Sequence, residues 1–196
     1  MNDTLDIDAL KNDAEFQENI RMLEGEMYEQ NSIAKGYQLL DIKLAMQEDE
    51  EAINTLFGFI VSRAFDALAE YLTEGKPFDL SRPEEWATAR ALYEYAIQAY
   101  SENDTQNAKE VFLVLYHTIA DAHVKEAMMV HACAVMDGVE FEAFVEEHVT
   151  MEGLDPEDPK SVFLTEFSEP ASALLARWSD HVAAAKRELA TLEAAQ

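Results

Sequence analysis

The sequence predicts an all-α protein: a single-domain bundle of six or seven helices packed as antiparallel hairpins around a buried central helix. Apolar residues recur at spacings of three and four along most of the 196 residues, as on one face of a helix. No segment alternates with period two for long enough to form a strand. Residues 109–136 contain neither Gly nor Pro, and apolar side chains cover most of their circumference. This stretch is therefore the predicted central helix, surrounded by the others.

The N-terminal part predicts two amphipathic helices. Residues 1–8 are polar and acidic and are expected to fray. A narrow apolar stripe follows, made of Phe16, Ile20, Leu23 and Met27. Residues 31–46 continue with helical periodicity and carry apolar side chains on two sides, which predicts contacts on both. The acidic run 47–51 is the expected turn before the next helix.

A second buried helix is predicted at residues 52–72, where apolar side chains cover more than half of the surface. Polar residues such as Arg63 and Asp66 interrupt it, so the pattern favours a buried helix over a membrane span. Gly75, Pro77 and Pro83 then mark a loop near residues 74–82. A helix from Arg82 to about Tyr100 follows the loop.

The turn at residues 101–104 predicts that the helices on either side of it are antiparallel neighbours. In this hairpin, residues 91–120, a large residue, two small ones and an aromatic stand at Leu92, Ala96, Ala108 and Phe112. On these residues the hairpin resembles a single tetratricopeptide unit. Ala99 stands where that family has Tyr, and no second copy follows at the period of about 34 residues that such arrays need. The resemblance implies a tight helical hairpin.

After the central helix, Gly138 is the expected residue just past a C-terminus. A shorter helix is predicted to end near Met151, and a second loop spans residues 152–168. The last helix carries a regular apolar seam, made of Leu175, Trp178, Val182, Ala185, Leu189 and Leu192. We expect this seam to pack within the bundle; a homodimer through the helix from Ser172 to Leu192 is the alternative.

Length and composition predict one domain, residues 1–196, without disulfides, because Cys133 is the single cysteine. No basic segment precedes an apolar one at the N-terminus, so a reducing, cytoplasmic location is expected. Cys133 has no base near it in the sequence and is expected to be a small core residue.

Charge is the strongest global signal. Forty Asp and Glu face fourteen Lys and Arg, for a formal net charge of -26. Such a field repels phosphate backbones and anionic lipid head groups, which argues against direct binding of nucleic acid or membranes. It is consistent either with solubility alone or with a partner that has a basic surface.

The predicted central helix holds three of the five histidines and is the first place to look for a site. Counted at about 100° per residue, His117, Asp121 and Lys125 fall on one polar stripe, with His131 at its edge. This polar stripe is expected to face solvent. His123 and Glu126 fall on an apolar side, where they would form a satisfied hydrogen bond at the edge of the core or, as an alternative, a small catalytic or metal-binding pair.

Metal and cofactor motifs are missing from the sequence, and neither a metal nor another cofactor is predicted. No histidine follows a Glu by three residues, as a di-iron carboxylate bundle requires. There is no second Cys and no His-Glu-x-x-His for zinc, and no Gly-rich phosphate loop, nucleophile elbow or EF-hand loop. Whether the chain is an enzyme is left open, and the sequence leans against it.

The most informative segment lies between Lys125 and Lys160, where no cation occurs. Nine carboxylates, which we call the acidic tract, are predicted to form a partner-binding surface: Asp137, Glu140, Glu142, Glu146, Glu147, Glu152, Asp155, Glu157 and Asp158. Repulsion between close carboxylates costs helix stability, so the tract is either a solvated face or an anionic docking surface.

The predicted function is that of a non-enzymatic binding protein whose acidic surface docks a basic surface of a protein partner. In one form of this prediction, the partner is a nucleic-acid-binding protein, and the chain inhibits it by mimicking phosphate. Two alternatives remain: an assembly chaperone or adaptor that binds an apolar peptide through exposed Tyr93, Tyr95 and Tyr100, and a small helical enzyme or cofactor carrier that uses His123 and Glu126.

Overall fold

The computed structural model describes residues 7–152, 155 and 157–194, and within these ranges the protein is all-α, as predicted. No described residue belongs to a β-strand; the β-type contacts are two isolated bridges, Phe78 with Ile119 and Val149 with Phe167. The chain divides into two compact units, residues 1–67 and 68–196. The predicted fraying of residues 1–8 lies largely outside the described part, which begins at Ile7.

The first unit contains helices α1 (Ile7–Asn12), α2 (Ala14–Gln30) and α3 (Ile33–Ala45), and most of α4 (Glu50–Glu74). Asp13 and Ser32 cap α2 and α3 by accepting hydrogen bonds from backbone N–H groups of the first turn. Asn31 ends α2 in the left-handed region, with φ of 49°. The turn predicted at residues 47–51 ends at residue 49, because Glu50 and Glu51 already form the first turn of α4.

Gly36 allows α3 to approach α4 closely. A Cβ atom at this position would lie 2.8 Å from Cγ1 of Ile60, a side chain that is fully buried. Only a residue without a side chain fits there while Ile60 keeps its position.

Helix α4 is less buried than its composition predicts. Its buried residues, Leu56, Ile60, Ala64 and Leu68, follow one another at spacings of four and form a narrow stripe. Phe65 is exposed. By length and mean hydropathy alone, α4 is the one candidate membrane span among the described residues, a test that core helices of soluble proteins also pass.

The second unit is built on helices that follow one another in the chain, with α6 packing extensively on both α5 and α7. The loop before α5 lies where predicted, and the hairpin of α5 and α6 confirms the expected antiparallel pair. The helices of this unit, after the end of α4, are α5 (Pro83–Ser101), α6 (Thr105–Thr118), α7 (Ala122–Asp137), α8 (Phe141–His148), α9 (Ala171–Arg177) and α10 (Ser179–Ala194), with a 3-10 turn at Pro159–Val162.

The predicted continuous helix over residues 109–136 is wrong, because the chain is extended between α6 and α7. Phe78 holds the break open: its N–H donates to the carbonyl oxygen of Thr118 at 2.7 Å, and its own carbonyl accepts from the N–H of Ala120 at 3.1 Å. Asp121 then caps α7 by accepting from the N–H groups of His123 and Val124. The buried central helix is therefore α7, in which residues 127–135 are all buried.

The predicted last helix is likewise divided, since α9 ends before Trp178 and α10 begins after it. The chain thus has ten α-helices in its described part, where six or seven were predicted. Trp178, Ala185 and Leu189 of the apolar seam are buried within this unit. The side chain of Leu192 lies outside the described part. A homodimer through this helix stays a prediction.

Candidate docking surface

The acidic tract is exposed throughout. It begins at the last residue of α7, crosses α8 and ends at Asp158, the N-cap of the 3-10 turn. All nine of its residues are exposed to solvent. The nine carboxylates thus all face solvent on the segment 137–158, of which residues 153, 154 and 156 are not described.

Helix α8 presents its carboxylates because its other face is anchored in the core. Phe144 is fully buried, with its ring centroid 5.0 Å from that of His131 and 6.0 Å from that of Tyr100. At about 100° per residue, Glu142 and Glu146 lie on the opposite side of the helix. Burial of Phe144 thus fixes which side of α8 faces solvent.

Asp137 differs from the rest of the tract because it is engaged within the unit. Its carboxylate accepts hydrogen bonds from Nε1 of Trp178 at 2.9 Å and from Nε2 of His181 at 3.1 Å. These bonds hold the pKa of Asp137 below its ordinary value, the one from Trp178 contributing most. Asp137 joins α7 to α10.

The other eight carboxylates form no ion pair with a described residue, although Asp158 is close enough to Lys160 to help raise its pKa. Lys160, the nearest cation along the chain, instead donates to Asp121 at 2.6 Å. That hydrogen bond raises the pKa of Lys160 and lowers the pKa of Asp121. Most of the charge of the tract is therefore left without an ion pair in the described part of the chain.

Two apolar side chains are exposed inside the tract. Met151 is 67% exposed and Val145 is 37% exposed, and they are the large hydrophobic residues that the second unit leaves in solvent among its described positions. Protein–protein interfaces combine such apolar contacts with a polar rim. The tract thus offers both charge and apolar contact.

The predicted stripe of His117, Asp121 and Lys125 does not exist as one helical face, because the break separates His117 from the other two. Asp121 is the cap of α7 and the partner of Lys160, and the Lys125 ammonium lies over the ring of Tyr116, 5.1 Å from its centroid. The three side chains therefore have separate roles.

The pairing of His123 with Glu126 is also wrong. The His123 side chain is 61% exposed and lies on the surface, where Nε2 is 3.1 Å from Oε1 of Glu166. Glu126 is half-buried elsewhere, on the wall of a groove described below. The structure thus offers no buried acid/base pair at these two positions.

His131, predicted at the edge of a polar stripe, is completely buried. Its Nδ1 lies 2.7 Å from the carbonyl oxygen of Ala127, which requires the proton on Nδ1, and its Nε2 lies 3.3 Å from the hydroxyl of Tyr93. The Tyr93 oxygen in turn accepts from the N–H of Leu164 at 2.9 Å. Burial lowers the pKa of His131 to about 4. A neutral imidazole satisfies this network.

Tyr93 and Tyr100 do not form the exposed aromatic surface expected for a chaperone, because each is only 2% exposed. The Tyr100 hydroxyl donates to the carbonyl oxygen of Val139 at 2.7 Å and ties α5 to the start of the acidic tract. Tyr95 is half-buried. These aromatic rings serve packing.

Cys133 is buried, as predicted, and burial raises the pKa of its thiol to about 11. In the part of the chain that the structure describes, no three His, Cys, Asp or Glu side chains are grouped so that they could hold a metal ion.

No protein-family model, no curated protein and no solved structure matches this chain at a significant level.

Proposed function

We propose that the chain is a non-enzymatic binding protein whose acidic tract docks a basic surface of a protein partner. The observation that carries the proposal is the exposure of nine carboxylates, eight of which form no ion pair with a described residue. A surface of this kind accelerates association with a cationic partner and makes binding sensitive to salt.

The charge density on α8 supports one class of partner, a nucleic-acid-binding protein occupied by phosphate mimicry. Four carboxylates lie between Glu140 and Glu147. At a rise of about 1.5 Å per residue, this is roughly one negative charge per 2.6 Å of helix axis. The value falls between about 1.7 Å per charge along duplex DNA and about 3.4 Å along one strand. A cationic groove that binds nucleic-acid phosphates would therefore find a similar linear density of negative charge along α8.

The exposed Met151 and Val145 would add an apolar contribution to the binding free energy, which salt does not screen. Burying apolar surface stabilises a complex by about 25 cal/mol per Å². We therefore expect the partner to carry an apolar contact bordered by Lys or Arg, and binding to weaken with salt without vanishing.

The experiment compares two variants with the same change in net charge. The tract variant replaces four glutamates of the α8 region by Gln: Glu140, Glu142, Glu146 and Glu147. The control variant replaces four glutamates of the first unit by Gln: Glu15, Glu24, Glu29 and Glu48. Each protein and the wild type is immobilised, proteins of the source cell are applied at low salt and eluted by a salt gradient, and the eluates are compared by mass spectrometry.

We expect one or more basic proteins to bind the wild type and the control and to bind the tract variant at least tenfold more weakly, since exposed charge pairs contribute about 0.2–1 kcal/mol each. A short DNA duplex added in competition should displace a nucleic-acid-binding partner and leave other partners bound. If the tract and control variants retain the same proteins equally, the acidic tract is not a docking surface.

A further inference from the structure

A groove on the second unit runs between α7 and the α9–α10 pair, and none of its lining residues belongs to the acidic tract. Its volume is about 420 Å³, within the range of roughly 300–1,000 Å³ typical of small-molecule sites. Its apolar wall is formed by Met129, Leu175 and Val182. The last two belong to the apolar seam, and they are only half-buried because the groove leaves them accessible.

Two lysines border this apolar wall. Lys125 lies over the ring of Tyr116, which also lines the groove, and Lys186 is exposed on α10. Neither ammonium group forms an ion pair with a described residue. Both charges are therefore available to a ligand.

Glu126 lies on the same groove and limits the charge of the ligand. It makes no ion pair with either lysine, so the three ionised groups sum to a charge of +1. That sum matches one negative charge, whereas a dianion would be opposed by Glu126 and by the -26 field of the whole chain.

We propose that this groove binds a small amphipathic monoanion, an aliphatic chain that ends in one carboxylate. The aliphatic chain packs on Met129, Leu175 and Val182, and the carboxylate accepts hydrogen bonds from Lys125 and Lys186. Charge-assisted hydrogen bonds of this kind are stronger than neutral ones. The site is separate from the docking function and does not depend on it.

The test uses octanoate as the probe and 1-octanol, which has the same chain without the carboxylate, as its neutral counterpart. Binding to the full chain is measured by isothermal titration calorimetry. A ligand of about ten heavy atoms is expected to bind with a dissociation constant on the order of 1 mM or tighter. The variants are K186M, which changes an exposed residue, the double variant K125M/K186M, and K76M as a control at an exposed lysine outside the groove.

We expect octanoate to bind the wild type and K76M about tenfold more tightly than octanol does, K186M to lose part of this preference, and the double variant to lose all of it. E126Q should bind octanoate more tightly than the wild type, because it removes a like charge. Circular dichroism checks that each variant is folded. The proposal is overturned if octanoate does not bind, if it binds no better than octanol, or if K186M and the double variant bind it as well as the wild type.

Discussion

Replacing His131 by Gln should remove a pH dependence of stability that this one buried side chain creates. Gln keeps an acceptor for the Tyr93 hydroxyl and a donor for the Ala127 carbonyl, but it does not titrate. His131 stays neutral in the folded protein until the pH approaches its pKa of about 4. In the unfolded chain the same imidazole takes up a proton near pH 6.5.

The unfolded state therefore binds more protons than the folded state between about pH 4 and pH 6.5, so the free energy of unfolding rises with pH across this window. The stabilisation is fully present above pH 6.5 and is lost as the pH falls towards 4. A shift of about 2.5 pKa units corresponds to about 3 kcal/mol over the whole window, of which about 2 kcal/mol lies between pH 7 and pH 5.

Urea denaturation followed by circular dichroism at pH 7 and pH 5 measures the effect. The carboxylates of the chain also titrate in acid, but they do so in the variant as well, so the difference between wild type and H131Q isolates the histidine. We expect the wild type to lose about 2 kcal/mol more than H131Q between the two pH values. H123Q, at an exposed histidine, controls for the change from His to Gln itself. Equal pH dependence in the wild type and H131Q would refute the buried neutral imidazole.

Two further predictions concern packing. Gly36→Ala should destabilise the protein by roughly 1 kcal/mol, because its Cβ would meet Ile60 at 2.8 Å. Gly25→Ala, with nothing within 4 Å of its Cβ, should stabilise α2 by about 0.5–1 kcal/mol. Urea denaturation of the two variants checks both values, and a Gly36→Ala variant as stable as the wild type would show that Ile60 can move aside. Cys133 should react with a disulfide reagent at pH 8 at least about a hundredfold more slowly in the folded protein than in guanidinium, because burial raises the pKa of its thiol to about 11. Comparable rates in the two states would mean that the thiol is accessible in the folded protein.

The fold class followed from the sequence because it depends on local periodicity. The spacing of apolar residues and the loop at residues 75–82 both survive in the structure. The break after α6 does not follow from local pattern, since it is held by Phe78, a residue about forty positions earlier. Asp121 carried the available signal: an Asp followed by a new apolar run is a typical N-cap.

The break between α6 and α7 also explains why the predicted environments of His123 and His131 are wrong. Angles counted at 100° per residue hold only along one unbroken helix. Three extended residues between α6 and α7 change the phase, so positions in α7 cannot be assigned from the faces of α6. Within α7 the apolar residues surround the axis, and no local pattern distinguishes the buried His131 from its neighbours.

The exposure of the acidic tract could be predicted, because exposed positions are where unpaired carboxylates avoid the cost of desolvation. The engagement of Asp137 could not, since Trp178 and His181 lie about forty residues further along the chain. The groove was also beyond prediction, because it depends on how α9 and α10 lie on α7.

The two hydrogen bonds of Phe78 also bear on the order in which the second unit folds. Helices α5, α6 and α7 are sequence neighbours, so their packing closes only short loops and costs little chain entropy. The Phe78 bridge closes a loop of about forty residues, which costs more, and its two hydrogen bonds and the burial of the Phe78 ring are gained only when α6 and α7 are already in place to receive it. We expect the three-helix core to form first and the bridge to lock afterwards, so that the boundary between α6 and α7 becomes final only when the segment before α5 has docked.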